Sequence, residues 1–464
     1  MIRKLAAALM LLAAAAGVGG AEDTLSYGRF GTVHLYRQSP RPSYVALFVS
    51  GDGGWNQGVV DMARDLAGLD ALVVGIDIRR YLDKLALSTE PCLYAAEDFE
   101  ALSKFVQKEL DYPTYTPPVL IGYSSGATLI YATAVQAPPN TFLGAISLGF
   151  CPDLRLAKTP CRGNGLQWHQ GPKGQGFVFE PAVTLEIPWI ALQGTIDQVC
   201  DPQATEAYVR KVRNGEVVLL PKVGHGYSVP RNWLPEFRRA FAKITGTRAP
   251  APEPSAEGTL AGLPLVEVPS EVPSGELLGI VISGDGGWGV TDRGIAGELA
   301  AHGIPTVGWN SLQYFWHAKT PEQAANDLGR VLRHYLAAWK LSGAVIVGYS
   351  LGADVAPFMI SRLSAELRSR IRTLALLGPG HTVDFQFHLT DWLVARRRPT
   401  SLPVLPEIAK LGSTRIICFY GKGDSDAVCP ELDPTHVTSI ELPGGHRIGR
   451  EFQPVVDAIL KAVR

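Results

Sequence analysis

The sequence predicts an α/β protein of two tandem domains, each a mostly parallel sheet flanked by helices. Three observations predict it. Short continuous apolar runs alternate with helix-length segments, a long block of motifs recurs in the same order, and 464 residues with 46% hydrophobic and 19% charged content exceed the roughly 250–300 residues that one core usually serves. Lys plus Arg number 43 against 44 for Asp plus Glu. That balance speaks against a polybasic nucleic-acid binder, and no basic stripe interleaved with aromatics is present.

The first element is not part of either domain. Arg3 and Lys4 precede an apolar run from Leu5 to Val18, followed by Gly19, Gly20 and Ala21. A positive start, an apolar middle too short to span a bilayer comfortably and small residues at the end predict a secretory signal peptide over 1–21, cleaved after Ala21. An uncleaved anchor is the alternative; no cysteine near Ala21 suggests lipidation. The exported chain then carries 41 basic and 44 acidic residues and is mildly acidic. Export makes the six cysteines candidates for disulfides. Cys418 with Cys429 and Cys151 with Cys161 are plausible local bridges, which leaves Cys92 with Cys200. Four cysteines in the first half allow three pairings, and the sequence does not choose. No CxxC pattern or His cluster suggests a metal, so no metal and no cofactor is assigned.

The duplication is read directly. Residues 44–55 end in Ser-Gly-Asp-Gly-Gly-Trp, and residues 277–288 end in the same six. Val119-Leu120-Ile121-Gly122-Tyr123-Ser124-Ser125-Gly126-Ala127 matches Val345-Ile346-Val347-Gly348-Tyr349-Ser350-Leu351-Gly352-Ala353. Asp197 then matches Asp424, and Gly224-His225 matches Gly445-His446. Between the copies, residues 246–259 alternate proline with small and polar residues, as a semi-extended linker does. The predicted domains are therefore 22–245 and 260–464. Within them Ala71–Ile76, Val119–Ile121, Ala145–Leu148, Ile190–Leu192 and Val217–Leu220 read as buried parallel strands. Tyr94–Leu110 and Pro321–Leu341 read as helices, the latter entered through Thr320 as N-cap with Pro321 at its first position.

Gly122-Tyr123-Ser124-Ser125-Gly126 and Gly348-Tyr349-Ser350-Leu351-Gly352 both fit G-x-S-x-G between a strand and a helix-forming run. In that context the glycines permit a sharp turn that exposes the serine at a helix N-terminus. A serine nucleophile needs a base, and the base an orienting carboxylate. The order Ser, Asp, His, known from α/β-hydrolases, occurs twice here, as Ser124, Asp197, His225 and as Ser350, Asp424, His446, with serine-to-acid spacings of 73 and 74 residues. Asp201 and Asp426 are rival acids. The duplicated Ser-Gly-Asp-Gly-Gly-Trp follows the strand that delivers one oxyanion-hole amide in this fold. The amides of Asp52 and Asp285 are thus paired with those of Ser125 and Leu351 as oxyanion donors. A phosphate-binding loop is the competing reading of the glycines, but no Lys-Ser/Thr follows.

The copies differ where substrate would be read. Asp354, one helical turn after Ser350, replaces Thr128 of the first copy and is a candidate for a cationic group, or simply an acid near a helix N-terminus. His381–Arg398 mixes Phe385, Phe387, Trp392 and Leu393 with Arg396, Arg397 and Arg398. It reads as a cap in which Arg396 and Arg397 meet an anionic headgroup, or as a solvated surface helix. Trp168 and His169 lie in an analogous insertion of the first copy, and Trp288 is a further substrate-binding candidate.

Ser-Gly-Asp-Gly-Gly-Trp, the run 348–359 (Gly-Tyr-Ser-Leu-Gly-Ala-Asp-Val-Ala-Pro-Phe-Met), the run 424–430 (Asp-Ser-Asp-Ala-Val-Cys-Pro) and Gly445-His446 resemble the VirJ/AcvB family of bacterial virulence proteins. The C-terminal half is similar to the VirJ module, and the tandem layout with its signal peptide to AcvB. The resemblance implies a periplasmic α/β-hydrolase and, for AcvB-like members, an esterase that removes lysine from lysyl-phosphatidylglycerol. It points to Ser350 as nucleophile, His446 as base and Asp424 or Asp426 as acid. The expected activity is hydrolysis of an aminoacyl ester of an anionic phospholipid at a membrane surface, with no nucleic-acid partner. The alternatives are a non-catalytic binding or assembly factor for secretion and a general carboxylesterase.

Overall fold

A computed structural model describes residues 23–246, 260–271, 276–387, 401–412, 414–446 and 452–463. The predicted signal peptide, all but the first residue of the predicted linker, and Trp392, Leu393 and Arg396–Arg398 lie outside the described residues. In the first half the strands are β1 (Asp23–Tyr27), β2 (Gly31–Tyr36), β3 (Tyr44–Val49), β4 (Ala71–Ile76), β5 (Val119–Tyr123), β6 (Gly144–Leu148), β7 (Trp189–Gly194) and β8 (Gly215–Leu220). They form one eight-stranded sheet in the order β1-β2-β4-β3-β5-β6-β7-β8. All pairs from β4 onward are parallel, and β1 and β2 are added antiparallel at one edge.

The second half repeats this plan with β9 (Leu265–Val268), β10 (Leu277–Ile282), β11 (Thr306–Trp309), β12 (Gly343–Tyr349), β13 (Ile371–Leu377), β14 (Arg415–Gly421) and β15 (Val437–Leu442). Its order is β9-β11-β10-β12-β13-β14-β15, with only β9 antiparallel. The two sheets draw on separate stretches of chain, so each half is an α/β-hydrolase fold in its own right.

The continuous apolar strands follow from burial on both faces. In the first half Leu47, Val49, Leu72 and Val74 pack towards Phe99 and Leu102, while Ala46, Phe48 and Val73 pack towards Met62, Leu66 and Phe237 on the other side. In the second half Ile280, Ile282 and Ile346 face Leu328 and Val331, and Val281, Val345 and Val347 face Leu299 and Val456. Each large side chain so buried contributes about 1.5–3 kcal/mol. The two predicted helices form as Ala95–Glu109 and Pro321–Ala338. Thr320 caps the second in a reciprocal capping box with Gln323. It stops before the expected Leu341 because Lys340 takes φ +56° and the amides of Lys340 and Leu341 turn back to Ala337 and Leu336, a Schellman end.

Three disulfides are present, Cys92–Cys161, Cys151–Cys200 and Cys418–Cys429. The third is the expected local bridge; the pairings of Cys151 with Cys161 and of Cys92 with Cys200 are not formed. The reason lies in the sheet. Cys151 follows β6 and Cys200 follows β7, and these strands are neighbours whose C-terminal ends share one rim. Cys161 is brought to Cys92 by the bonding of its segment to Leu93, whose carbonyl accepts from the Cys161 amide at 2.9 Å.

The halves touch through Trp316, whose ring lies between those of Tyr115 and Phe387. Its Nε1 donates to the Tyr112 carbonyl at 2.8 Å. Phe385 and Phe387, expected in a cap over the site, are instead buried, Phe385 against Phe315 and Phe358 and Phe387 against Trp316. Backbone pairing of Thr382–Val383 with Leu402–Pro403 fixes the base of that segment, which turns both rings inward. Among the described residues no helix is long and apolar enough to cross a membrane.

Candidate active sites

Each nucleophile stands where a central strand ends and a helix begins. Ser124 (φ +56°, ψ −124°) and Ser350 (φ +50°, ψ −118°) hold a backbone conformation that costs about 1–3 kcal/mol and survives only where packing enforces it. Packing does so here. A Cβ on Gly122 would lie 2.2 Å from the Gly126 carbonyl oxygen, and one on Gly352 2.1 Å from that of Ile282. The strand-to-helix turn therefore closes only with glycines at those places. The serine amides are tied to the next strand, Ser124 to the Leu148 carbonyl and Ser350 to that of Leu377, both at 2.9 Å.

The predicted partners converge on both serines. In the first half the Ser124 Oγ lies 2.9 Å from His225 Nε2, and His225 Nδ1 lies 2.9 Å from Asp197 Oδ2. In the second, Ser350 Oγ lies 2.9 Å from His446 Nε2, and His446 Nδ1 2.8 Å from Asp424 Oδ2. A carboxylate only accepts, so Nδ1 of each imidazole donates to it. Nε2 is left to accept from the serine hydroxyl, the arrangement a general base requires. The rival acids have other work. Asp201 caps the helix Pro202–Val209 through the Ala204 amide at 2.7 Å. Asp426 Oδ1 accepts from His381, whose other ring nitrogen meets Glu431 at 2.8 Å. Those two acids raise the His381 pKa, Glu431 most, against a lowering by partial burial.

The two triads are held differently. Asp197 Oδ1 accepts from the amides of Val199 and Cys200 at 2.8 and 3.0 Å, and its Oδ2 also takes Gln193 Nε2 at 3.1 Å. Asp424 has the Asp426 amide at 3.3 Å. The His225 side chain is 17% exposed and that of His446 47%, so the second centre is the more open. Gln193 was not foreseen; its trace in the sequence is an amide inside an otherwise apolar strand. Gly149 and Gly378 were also overlooked. A Cβ at either would come within 3.2–3.3 Å of the catalytic imidazole, and both take positive φ, at +64° and +62°. The repeat of Leu-Gly after β6 and after β13 was the available signal.

The loops carrying Asp52 and Asp285 pass beside the nucleophiles. A Cβ on Gly51 would stand 3.0 Å from Ser124 Cβ, and one on Gly284 3.4 Å from Ser350 Cβ. Each loop is a turn closed by the Gly54 or Gly287 amide on the carbonyl of Gly51 or Gly284. This places the peptides of Asp52 and Asp285 next to the helix-opening peptides of Ser125 and Leu351. Trp288 is 8% exposed and its ring lies over Gly308, where a Cβ would come within 2.3 Å of it. It shapes the wall from within the core. Trp168 Nε1 donates to the Pro160 carbonyl at 3.1 Å, and His169 meets Glu180 at 2.7 Å, both inside a small three-stranded sheet.

Asp354 Oδ1 accepts from the Gly380 amide at 2.7 Å, as Thr128 of the first half donates to the Cys151 carbonyl at 2.6 Å. Both side chains tie down the loop beyond the neighbouring strand. Burial pushes the Asp354 carboxyl well above the usual carboxylate range, and the charges of Asp426, Asp285 and Asp424 push it further, against the Gly380 bond. Asp197, Cys200 and His225 place three ligand-type atoms within 4.8 Å of one another, but Cys200 is disulfide-bonded and the other two complete the triad. That donor set suits acyl transfer and not a metal.

The bacterial virulence protein (VirJ) family matches residues 43–143 and 276–464, more than half of the chain and both nucleophile turns. The chain belongs to that family. No curated protein matches it. Solved structures similar to this VirJ-family chain include the esterase domain of a Rhodothermus marinus protein, with 17% identity over 48% of this chain and 97% of that one at a TM-score of 0.33. An α/β serine hydrolase without lid from Xanthomonas campestris has 21% identity over 50% and 95%, TM-score 0.31. An α/β serine hydrolase homologue from Coxiella burnetii has 18% over 48% and 96%, TM-score 0.32.

Proposed function

We propose that this VirJ-family chain is an exported serine hydrolase whose second half removes the aminoacyl group of lysyl-phosphatidylglycerol in the periplasm. The observation that carries the reading is the unbroken line from Ser350 through His446 to Asp424, at 2.9 and 2.8 Å. Ser350 Oγ attacks the ester carbonyl while His446 Nε2 takes its proton. The tetrahedral oxyanion is stabilised by the amides of Asp285 and Leu351, each such donor contributing roughly 3–4 kcal/mol. His446 then protonates the glycerol oxygen as the C–O bond breaks, and phosphatidylglycerol leaves. Water, deprotonated by the same imidazole, hydrolyses the acyl-enzyme and frees lysine. Three carboxylates, those of Asp426, Asp285 and Asp424, act on Asp354 and support an acyl group with a free α-ammonium, since that cation there replaces the proton that burial first and their charges second hold on Asp354. The family resemblance supports the lipid, and three disulfides support an oxidising compartment.

A second reading, favoured by the equally complete triad at Ser124, is that the first half is also a hydrolase. Thr128 stands there in place of Asp354, which supports neutral acyl esters as its substrates. The test is lysine release from vesicles containing lysyl-phosphatidylglycerol by the full chain, by Ser350→Ala and by Ser124→Ala. The proposal expects Ser350→Ala to lose at least about a thousandfold in kcat and Ser124→Ala to keep its activity. No release by the unaltered protein leaves the binding or assembly role; equal loss in both variants rejects the division of labour. Asp354→Asn should raise KM for the lysyl ester while sparing a neutral ester of the same length. Equal loss on both esters removes Asp354 from cation recognition.

A further inference from the structure

The mouth of the second active site is not made by the second half alone. A cleft of about 1450 Å³ reaches Ser350 and His446, and one of its walls belongs to the first half, including Glu97, Glu186 and Glu216. The facing wall includes Asp285 and Asp292. No Lys or Arg is among the described residues that line it. The walls are held in register by Trp316 between the halves and by Asn140 Nδ2, which donates to the Trp288 carbonyl at 3.2 Å. Its volume exceeds the roughly 300–1,000 Å³ of an ordinary small-molecule site.

Asp292 is the informative wall residue. It is 2% exposed, and its Oδ2 accepts from the Gly289 amide at 3.0 Å, but its Oδ1 has no hydrogen-bond partner among the described residues. A buried carboxylate oxygen without a partner costs about 1–3 kcal/mol and is kept where something else satisfies it. Burial raises its pKa to about 7, against the bonds it accepts and the Arg293 charge. The matching position of the first half is Val59, so this acid belongs to the second centre alone. Glu186 and Glu216 have cations outside the lining, Arg293 at 3.8 Å and Lys243, so they shape the field of the cleft while Asp292 keeps a buried acceptor without a partner among the described residues.

We propose that the inter-half cleft is the acyl-recognition site of the Ser350 centre, that the first half supplies one wall of it, and that Asp292 receives the side-chain ammonium of a cationic aminoacyl group. The inference rests on the reading of Ser350 as an aminoacyl-ester hydrolase. It assigns the first half a second task, independent of whether Ser124 turns over.

The test uses the full chain carrying Ser124→Ala and two probes, the diphenyl phosphonate of lysine and its norleucine isostere. Ser350 Oγ attacks phosphorus, an Oγ–P bond forms, a P–O bond breaks, and phenol leaves with the hydroxyl proton passed through His446. The lysine probe should label Ser350 about tenfold faster than the norleucine probe. Asp292→Asn should reduce that ratio about fivefold, and Glu186→Gln with Glu216→Gln about twofold to threefold, with the folding of each variant checked by its far-ultraviolet circular dichroism spectrum. A ratio near one in the unsubstituted wall, no labelling of Ser350, or a ratio unmoved by Asp292→Asn overturns the proposal. A ratio moved by Asp292→Asn but not by the glutamate pair overturns the wall assigned to the first half. Selective labelling without hydrolysis of lysyl-phosphatidylglycerol refutes the lipid reading and leaves the cleft standing.

Discussion

At the scale of single residues, the second catalytic acid is decided by geometry, because Asp424 and Asp426 are two residues apart and only Asp424 reaches the imidazole. Asp424→Asn should lower kcat about 10³–10⁴-fold through the wrong imidazole tautomer, whereas Asp426→Asn should stay within a few-fold. Steady-state kinetics on any ester turned over by Ser350 separates the two. Asp292 gives a stability prediction with a definite sign. Its folded pKa of about 7 lies above its ordinary value, so the native state holds a proton that the unfolded chain has released, and stability falls as pH rises from about 4 to 7. Asn at 292 cannot titrate. The Tm difference, Asp292→Asn minus the unaltered protein, should therefore be larger at pH 8 than at pH 5, and a difference flat with pH contradicts the burial argument. Serine, histidine and aspartate were legible because duplication repeated them at matched spacing. Asp292 and Gln193 were not, since each occurs in one half only and its meaning depends on which buried surface it faces.

At the scale of elements, parallel strands were legible as unbroken apolar runs, and the Pro321–Ala338 helix as a cap with proline at its first position. Helix ends made by a non-glycine residue, as at Lys340, carry no such mark. The disulfide partners of the first half were hidden for a related reason: Cys151 and Cys200 pair through strand adjacency, which chain distance does not reveal, whereas the local Cys418–Cys429 bridge was legible. The bridges should differ in their contribution. Cys92–Cys161 closes a span of 69 residues and Cys418–Cys429 one of 11, so on loop entropy the first stabilises by about 4 kcal/mol and the second by about 3 kcal/mol. Denaturant titration of the paired serine variants checks that order. The short bridge also fastens the end of the loop that carries Asp424, so its serine variant should lose more Ser350-dependent activity than Cys151→Ser with Cys200→Ser, whose bridge stands beside Asp197 of the first centre.

At the scale of the whole molecule, one fold occurs twice and each copy keeps a complete triad, yet the copies are not equivalent. The first is more enclosed and binds its acid with more donors; the second is open to a cleft that the first helps to build. The duplication was visible in the sequence, but the cleft was not, because it arises from the packing of Trp316 between Tyr115 and Phe387 across more than two hundred residues. The central claim is that Ser350 is acylated during turnover. Rapid acid quench of the full chain with a lysyl ester, followed by peptide mapping, should find the lysyl group on Ser350 and lose it in His446→Ala. A lysyl ester consumed at full rate with Ser350 unmodified, or by His446→Ala, would contradict the account.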